Sequence, residues 1–112
     1  MKQFLLNLIV LIPGLVFADE YKKKNIDYNI DLAPPMRIEL VLAGNLWERR
    51  SNHFHTGLDM KTKGVEGQKI YSIADGYISR LRVSPWGYGN AIYIEHNNGL
   101  TSLYAHCQKF PP

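Results

Sequence analysis

The stretch AIYIEHNNGLTSLYAH, residues 91–106, decides the fold class of this chain. Its two flanks are rich in β-branched and aromatic residues, which favour strands. Asn97-Asn98-Gly99 separates them and has the turn chemistry of a hairpin, because asparagine and glycine tolerate the left-handed backbone of such turns. The stretch therefore predicts two antiparallel strands joined by a short loop.

The second flank, residues 100–106, also predicts which way its side chains face. Successive side chains of a strand point to opposite faces, so Leu103 and Ala105 share one face, which suits a core. Ser102, Tyr104 and His106 share the other face. This parity predicts that His106 points away from the core at the end of its strand.

Further strands are predicted on the N-terminal side of this hairpin. Residues 37–42, 69–73 and 77–83 are short and β-rich, and the last two flank Ala74-Asp75-Gly76, a second hairpin signal. No stretch beyond the N-terminal segment shows a sustained apolar period of 3.6 residues. The predicted fold class is all-β, an antiparallel β-sandwich or small barrel-like sheet.

Composition limits the function of the 112 residues. The chain is 46% hydrophobic and 21% charged, which is globular and excludes disorder. Thirteen Lys and Arg against ten Asp and Glu leave a formal charge of +3, too small to indicate a nucleic-acid partner. The single cysteine, Cys107, excludes an internal disulfide and a cysteine-based zinc ribbon, and we expect it to be a small buried hydrophobe.

Residues 1–18, MKQFLLNLIVLIPGLVFA, have the pattern of a cleaved signal peptide. A positive Lys2 precedes an apolar run that Pro13 interrupts, and Ala18 ends a suitable cleavage site. The sequence thus predicts export to a periplasm or the extracellular space, with no membrane span after cleavage. Residues 19–36 are interpreted as a polar leader and residues 37–112 as the domain.

His55 and Asp59 form the first candidate site. On a straight strand, residues four apart lie about 13 Å from each other, too far to share one metal ion. A bend at Gly57 would let the two side chains converge, so the spacing permits a metal site and does not require one.

Other residues could complete such a site. A catalytic zinc needs three protein ligands, and the candidates for a third are His53, His96, His106 and Glu48. His106 is better placed as a general base or as a group that stabilises a developing oxyanion. His96, before a turn, is interpreted as a surface or turn-facing histidine.

The Gly-rich segment Trp86–Ala91, WGYGNA, lies between predicted strands. It is interpreted either as a flexible hairpin tip or as one wall of a groove. In the second interpretation Tyr88 and Asn90 contact a ligand.

Four motifs in order resemble one known family. They are an Arg-containing segment, His-x-Gly-x-Asp, a Gly-rich stretch through GYGN, and a strand that ends in Tyr-Ala-His. This order resembles the lysostaphin/LytM-type zinc metallopeptidases, which cut peptide bonds of bacterial cell-wall peptidoglycan. The resemblance covers about residues 37–110.

The resemblance implies roles for particular residues. His55 and Asp59 correspond to the first two zinc ligands, and His106 corresponds to a catalytic histidine. Zn²⁺ is the implied cofactor, and the peptide cross-links of peptidoglycan are the implied partner. Either Arg49 or Arg50 corresponds to the family's upstream arginine.

One part of the family pattern has no counterpart. The family carries its third zinc ligand and a second catalytic histidine in a His-x-His motif downstream of Tyr-Ala-His, and residues 107–112 contain no histidine. The sequence is therefore interpreted as the N-terminal part of the peptidase domain, with a sheet incomplete at its C-terminal end. We expect this chain alone to hold zinc poorly and to lack activity.

Two alternatives remain. The first is a non-enzymatic module that binds peptidoglycan or activates a hydrolase. The second rests on Gly64–Ile78, which resembles the hairpins of biotinyl or lipoyl carrier domains, but the predicted hairpin tips contain no lysine to modify.

Overall fold

A computed structural model describes residues 5–11 and 27–112 of the chain. The described strands form one antiparallel sheet of six strands in the order β2-β3-β1-β6-β5-β4. The strands are β1 (Leu5–Leu11), β2 (Leu42–Gly44), β3 (Leu58–Lys61), β4 (Gly76–Arg82), β5 (Ala91–His96) and β6 (Thr101–Ala105). The all-β antiparallel prediction is confirmed, and across the described residues the sheet stays open and does not close into a barrel.

The hairpin of residues 91–106 forms as β5 and β6. Ile92 pairs with Tyr104 and Glu95 with Thr101. The turn is closed by the His96 amide, which donates to the Leu100 carbonyl at 2.9 Å. Gly99 takes a φ of 90°, a left-handed conformation that glycine adopts without steric cost.

Two of the other predicted strands differ in the structure. Of residues 37–42, only Leu42 belongs to a strand, and residues 69–73 form none. The segment 69–73 instead bonds to residues 33–35 through two separate backbone hydrogen bonds. Pro34 and Pro35 have no N–H to donate, so this pairing cannot extend into a ladder. Residues 74–76 consequently lead into β4 and do not close a hairpin.

The larger core cluster lies on the Tyr104 face of β6, which corrects the predicted parity. Tyr104 is buried there with residues of four other segments: Met36, Met60, Ile73 and Cys107. On the opposite face Leu103 packs with Ala91 in a smaller cluster. Both faces of β6 are covered, so alternation alone could not tell the main core face from the other.

Cys107 is buried in the larger cluster, as predicted. Burial raises the pKa of its thiol, because the apolar surroundings disfavour the thiolate. The cysteine therefore behaves as a packing residue.

A polar network crosses this core and corrects the prediction for His96. The residue is buried, with 5% of its surface exposed, and does not face solvent. Its Nδ1 donates to the Asp75 carbonyl at 3.0 Å, and its Nε2 lies 2.8 Å from Ser102 Oγ. Ser102 Oγ lies 3.2 Å from Tyr104 Oη, which accepts a hydrogen bond from the Ile73 amide at 2.9 Å. The network ties the segment before β4 to β5 and β6.

The N-terminal strand β1 lies between β3 and β6. Its residues 5–11 fall within the predicted signal peptide, whereas residues 1–4 and 12–18 of that segment, and residues 19–26 of the leader, lie outside the described residues. Cleavage after Ala18, which remains a prediction, would remove β1 and leave the facing edges of β3 and β6 unpaired. Met36, the last residue of the predicted leader, is buried in the core. Among the residues described, none lies in a helix with the length and apolarity to cross a membrane.

The polar network yields a stability prediction. Tyr104→Phe removes the acceptor for the buried Ile73 amide, which should lower the free energy of unfolding by about 1–3 kcal/mol. Tyr77→Phe is the control. The Tyr77 hydroxyl, on exposed strand β4, donates to Glu95 of β5, and its removal should change the free energy of unfolding little. Urea denaturation followed by circular dichroism measures both, and equal effects of the two variants would contradict the prediction.

Candidate functional site

His55 and Asp59 meet at the start of β3. The chain bends at Gly57, so the two side chains converge although they are four residues apart. His55 Nε2 lies 3.1 Å from Asp59 Oδ1. The two residues are 7% and 6% exposed, so the pair is shielded from water on most sides.

A hydrogen bond fixes the orientation of the His55 ring. Its Nδ1 lies 2.9 Å from the Asn45 carbonyl oxygen, which can only accept, so Nδ1 carries the proton. In the neutral ring Nε2 then directs a lone pair towards the Asp59 carboxylate. Two electron-pair donors at this distance need a cation between them, either a proton or a metal ion.

The separation of the two donor atoms also fits a metal site. Nitrogen and oxygen ligands of a tetrahedral zinc ion, each about 2.0–2.2 Å from it, lie about 3.3 Å apart. The observed 3.1 Å between Nε2 and Oδ1 is close to that value. The pair therefore has the chemistry and the spacing of two adjacent zinc ligands.

Arg50 balances the charge of the second Asp59 oxygen. One of its terminal nitrogens donates to Asp59 Oδ2 at 3.0 Å and lies 3.5 Å from a carboxylate oxygen of Glu48. Arg49 is exposed and forms an isolated bridge with Phe54. The sequence did not distinguish Arg49 from Arg50 as the site arginine. In the structure, Arg50 is the one that contacts Asp59.

Gly44 leaves the space in which Arg50 and Asp59 meet. It pairs with Asp59 in the β2–β3 register. A Cβ at position 44 would lie 2.6 Å from Asp59 Oδ2 and 2.7 Å from an Arg50 nitrogen. A residue with a side chain cannot occupy position 44 unless this ion pair shifts.

The loop from Asn45 to His55, which we call the site hairpin, holds this arrangement in place. The Trp47 amide donates to the His55 carbonyl and the His55 amide to the Glu48 carbonyl, both at 2.8 Å. Asn45 then accepts from the His55 ring. One short hairpin therefore supplies both the first candidate ligand and the carbonyl that orients it.

His106 lies at the same level of the sheet as Asp59. Asn7 of β1 is opposite Asp59 on one side and opposite Ala105, the neighbour of His106, on the other. Two strand spacings separate Asp59 from Ala105, which is about 10 Å. His106 is exposed and has a φ of 59°, so the chain turns sharply where β6 ends.

The segment of Tyr88 and Asn90 packs beside His106. The His106 amide donates to the Tyr88 carbonyl at 2.8 Å, and the Cys107 amide donates to the Asn90 carbonyl at 3.0 Å. The Tyr88 hydroxyl lies 3.3 Å from Thr56 Oγ1, next to His55. Tyr88 thus connects the two halves of the site, a link between distant loops for which the sequence contains no signal.

The other histidines lie elsewhere. His53 is exposed and its Nδ1 lies 2.6 Å from Asn52 Oδ1, while His96 belongs to the core network. Within residues 27–112 and strand β1, no three His, Cys, Asp or Glu residues are grouped closely enough to hold a metal ion. The described chain therefore brings two candidate ligands together and not a third.

Comparison with known proteins places this chain in a family. The model of peptidase family M23 matches residues 53–111, more than half of the chain. Proteins named DD-carboxypeptidase/endopeptidase Mpg, from Neisseria meningitidis serogroup B and Neisseria gonorrhoeae, are 41% identical over 56 residues. The match covers 50% of this chain and only 12% of the length of those relatives. No solved structure matches.

The packing around Gly44 yields a prediction for the site. Gly44→Ala forces a methyl group against Asp59 and Arg50, and we expect it to lower the free energy of unfolding by about 1–3 kcal/mol. In an Arg50→Ala background the same substitution should cost less, because one of the two crowded groups is absent. Chemical denaturation of wild type, the two single variants and the double variant measures the difference. If the two losses in free energy of unfolding are additive, the proposed crowding is refuted.

Proposed function

Because the chain belongs to peptidase family M23, we propose that it forms the metal site of a zinc-dependent endopeptidase acting on peptide cross-links of bacterial peptidoglycan. The observation that carries the proposal is the buried His55–Asp59 pair, whose donor atoms lie 3.1 Å apart. The name of the Neisseria relatives, DD-carboxypeptidase/endopeptidase, supports hydrolysis of peptide bonds.

In this proposal His55 and Asp59 hold the metal. His55 binds through Nε2 because its Nδ1 proton is committed to the Asn45 carbonyl. Asp59 binds through Oδ1, while Arg50 holds Oδ2 and so prevents the carboxylate from rotating. When bound, zinc would polarise the scissile carbonyl and lower the pKa of a water molecule.

His106 acts on the substrate in this proposal. It follows Ala105, which stands about two strand spacings from Asp59 with Asn7 of β1 opposite both. Its exposed ring is free to accept a proton from the attacking water or to stabilise the developing oxyanion. The hydrogen bond from its amide to the Tyr88 carbonyl holds its backbone, and Tyr88 and Asn90 form the adjoining wall of the substrate groove.

For the 112-residue chain taken alone, we propose weak metal binding and no hydrolysis. A catalytic zinc has three protein ligands, and the described residues group two candidates. The alternative is a non-enzymatic module that binds peptidoglycan or activates a hydrolase. Zinc binding distinguishes the two, since a module of that kind has no chemical need for the His55–Asp59 pair.

We also propose that the protein is exported. The apolar segment of residues 1–18 supports a signal peptide, and the proposed substrate lies outside the cytoplasm. In the mature protein the position of β1 would then be open to another strand.

Zinc binding is the first test. We expect a form of the protein extended by a downstream His-x-His motif to bind close to one zinc ion per chain by elemental analysis, and residues 1–112 alone to bind less. His55→Ala should abolish binding in both, because it removes a ligand. His53→Ala is the matched control, since His53 is exposed and contacts its neighbour Asn52. Zinc absent from both proteins, or retained in His55→Ala, would overturn the metal site.

Hydrolysis tests the role of His106. In the form extended by a His-x-His motif, His106→Ala should reduce cleavage of purified peptidoglycan by at least about 100-fold, because proton transfer in the transition state is lost. Zinc stoichiometry should not change, since His106 is not proposed as a ligand. Full activity of His106→Ala would refute the catalytic role, and loss of zinc would show that His106 is a ligand instead.

A further inference from the structure

Two large aromatic side chains are exposed on the site hairpin. Trp47 is 65% exposed and Phe54 is 57% exposed, yet their rings contact each other with centroids 6.4 Å apart at an angle of 66°. Burial of such rings contributes strongly to a core. Here most of their surface faces water, so the two rings form an exposed apolar patch next to the candidate site.

The backbone conformation at position 47 is unfavourable for a tryptophan. Asn45 to Glu48 form a turn in which the Glu48 amide donates to the Asn45 carbonyl at 3.2 Å. The third position of the turn is Trp47, with a φ of 63°. Glycine or asparagine normally occupies a turn position with positive φ, and a bulky residue there is strained. Strain of this kind is concentrated at functional sites.

The aromatic pair is attached directly to the candidate ligand. Phe54 precedes His55 in the chain, and the Trp47 amide donates to the His55 carbonyl. A molecule that contacts the two rings is therefore held beside the His55–Asp59 pair. The tip of the same hairpin carries the exposed polar side chains of Asn52 and His53.

We propose that Trp47 and Phe54 bind the glycan strand of peptidoglycan, stacking on the C–H face of a sugar ring. The pair is open to solvent, which suits a flat ring that stacks by one face while its hydroxyl groups stay in water. Asn52 and His53 provide hydrogen-bonding groups at the edge. This inference rests on the proposed function, and it adds a contact to the sugar beside the peptide that is cut.

Trp47→Gly tests the inference sharply. The substitution removes the ring and places at position 47 the residue that its backbone conformation favours, so thermal stability should stay the same or rise. Binding of peptide-free glycan strands, measured by calorimetry without added zinc, should weaken by about tenfold or more. Trp86→Ala is the matched control, because Trp86 is 82% exposed on the β4–β5 connection and should not affect binding.

Further variants and probes separate the possible results. Phe54→Leu should also weaken glycan binding, and a stem peptide without sugar should bind wild type and Trp47→Gly equally. The inference is overturned if wild type does not bind the glycan, if Trp47→Gly binds it normally, or if Trp47→Gly weakens the peptide instead. Because these measurements need neither zinc nor hydrolysis, failure of the metal site would leave their outcome unchanged.

Discussion

The buried carboxylate of Asp59 is the constraint on which the site depends. A carboxylate that is 6% exposed is costly unless its charge is neutralised and its oxygens are bonded. Arg50 meets one oxygen and His55 the other. Gly44 provides the space for the first contact, and the site hairpin provides the second. Both partners belong to the site hairpin, whereas Asp59 belongs to β3, so the hairpin and the sheet edge must form together.

The sheet brings His106, the second half of the candidate site, to the same level as Asp59. His106 follows β6, two strand spacings from β3, and no local signal near either residue specifies that distance. Tyr88 connects the halves, with its carbonyl bonded to the His106 amide and its hydroxyl near Thr56. This connection makes the separation of the two halves depend on the β4–β5 loop as well as on the sheet.

Local features account for the parts of the fold that were predictable. The β5–β6 hairpin was predicted because Asn97-Asn98-Gly99 has turn chemistry of its own. Residues 69–73 have strand composition, but their partner contains two prolines, and a ladder needs N–H donors on both sides. Likewise, alternation in β6 could not show that Tyr104 faces the larger core, because side chains from four other segments cover that face.

The sequence by itself determined the all-β class, the His55-x-Gly-x-Asp59 spacing and the need for a bend at Gly57. Each of these depends on residues within a few positions of one another. Only the tertiary structure decided that Arg50 and not Arg49 meets Asp59, that His96 is a buried core residue, and that Trp47 stands exposed in a strained turn. These outcomes depend on strand register and on packing between distant segments, and the chemical identity of a residue does not contain that information.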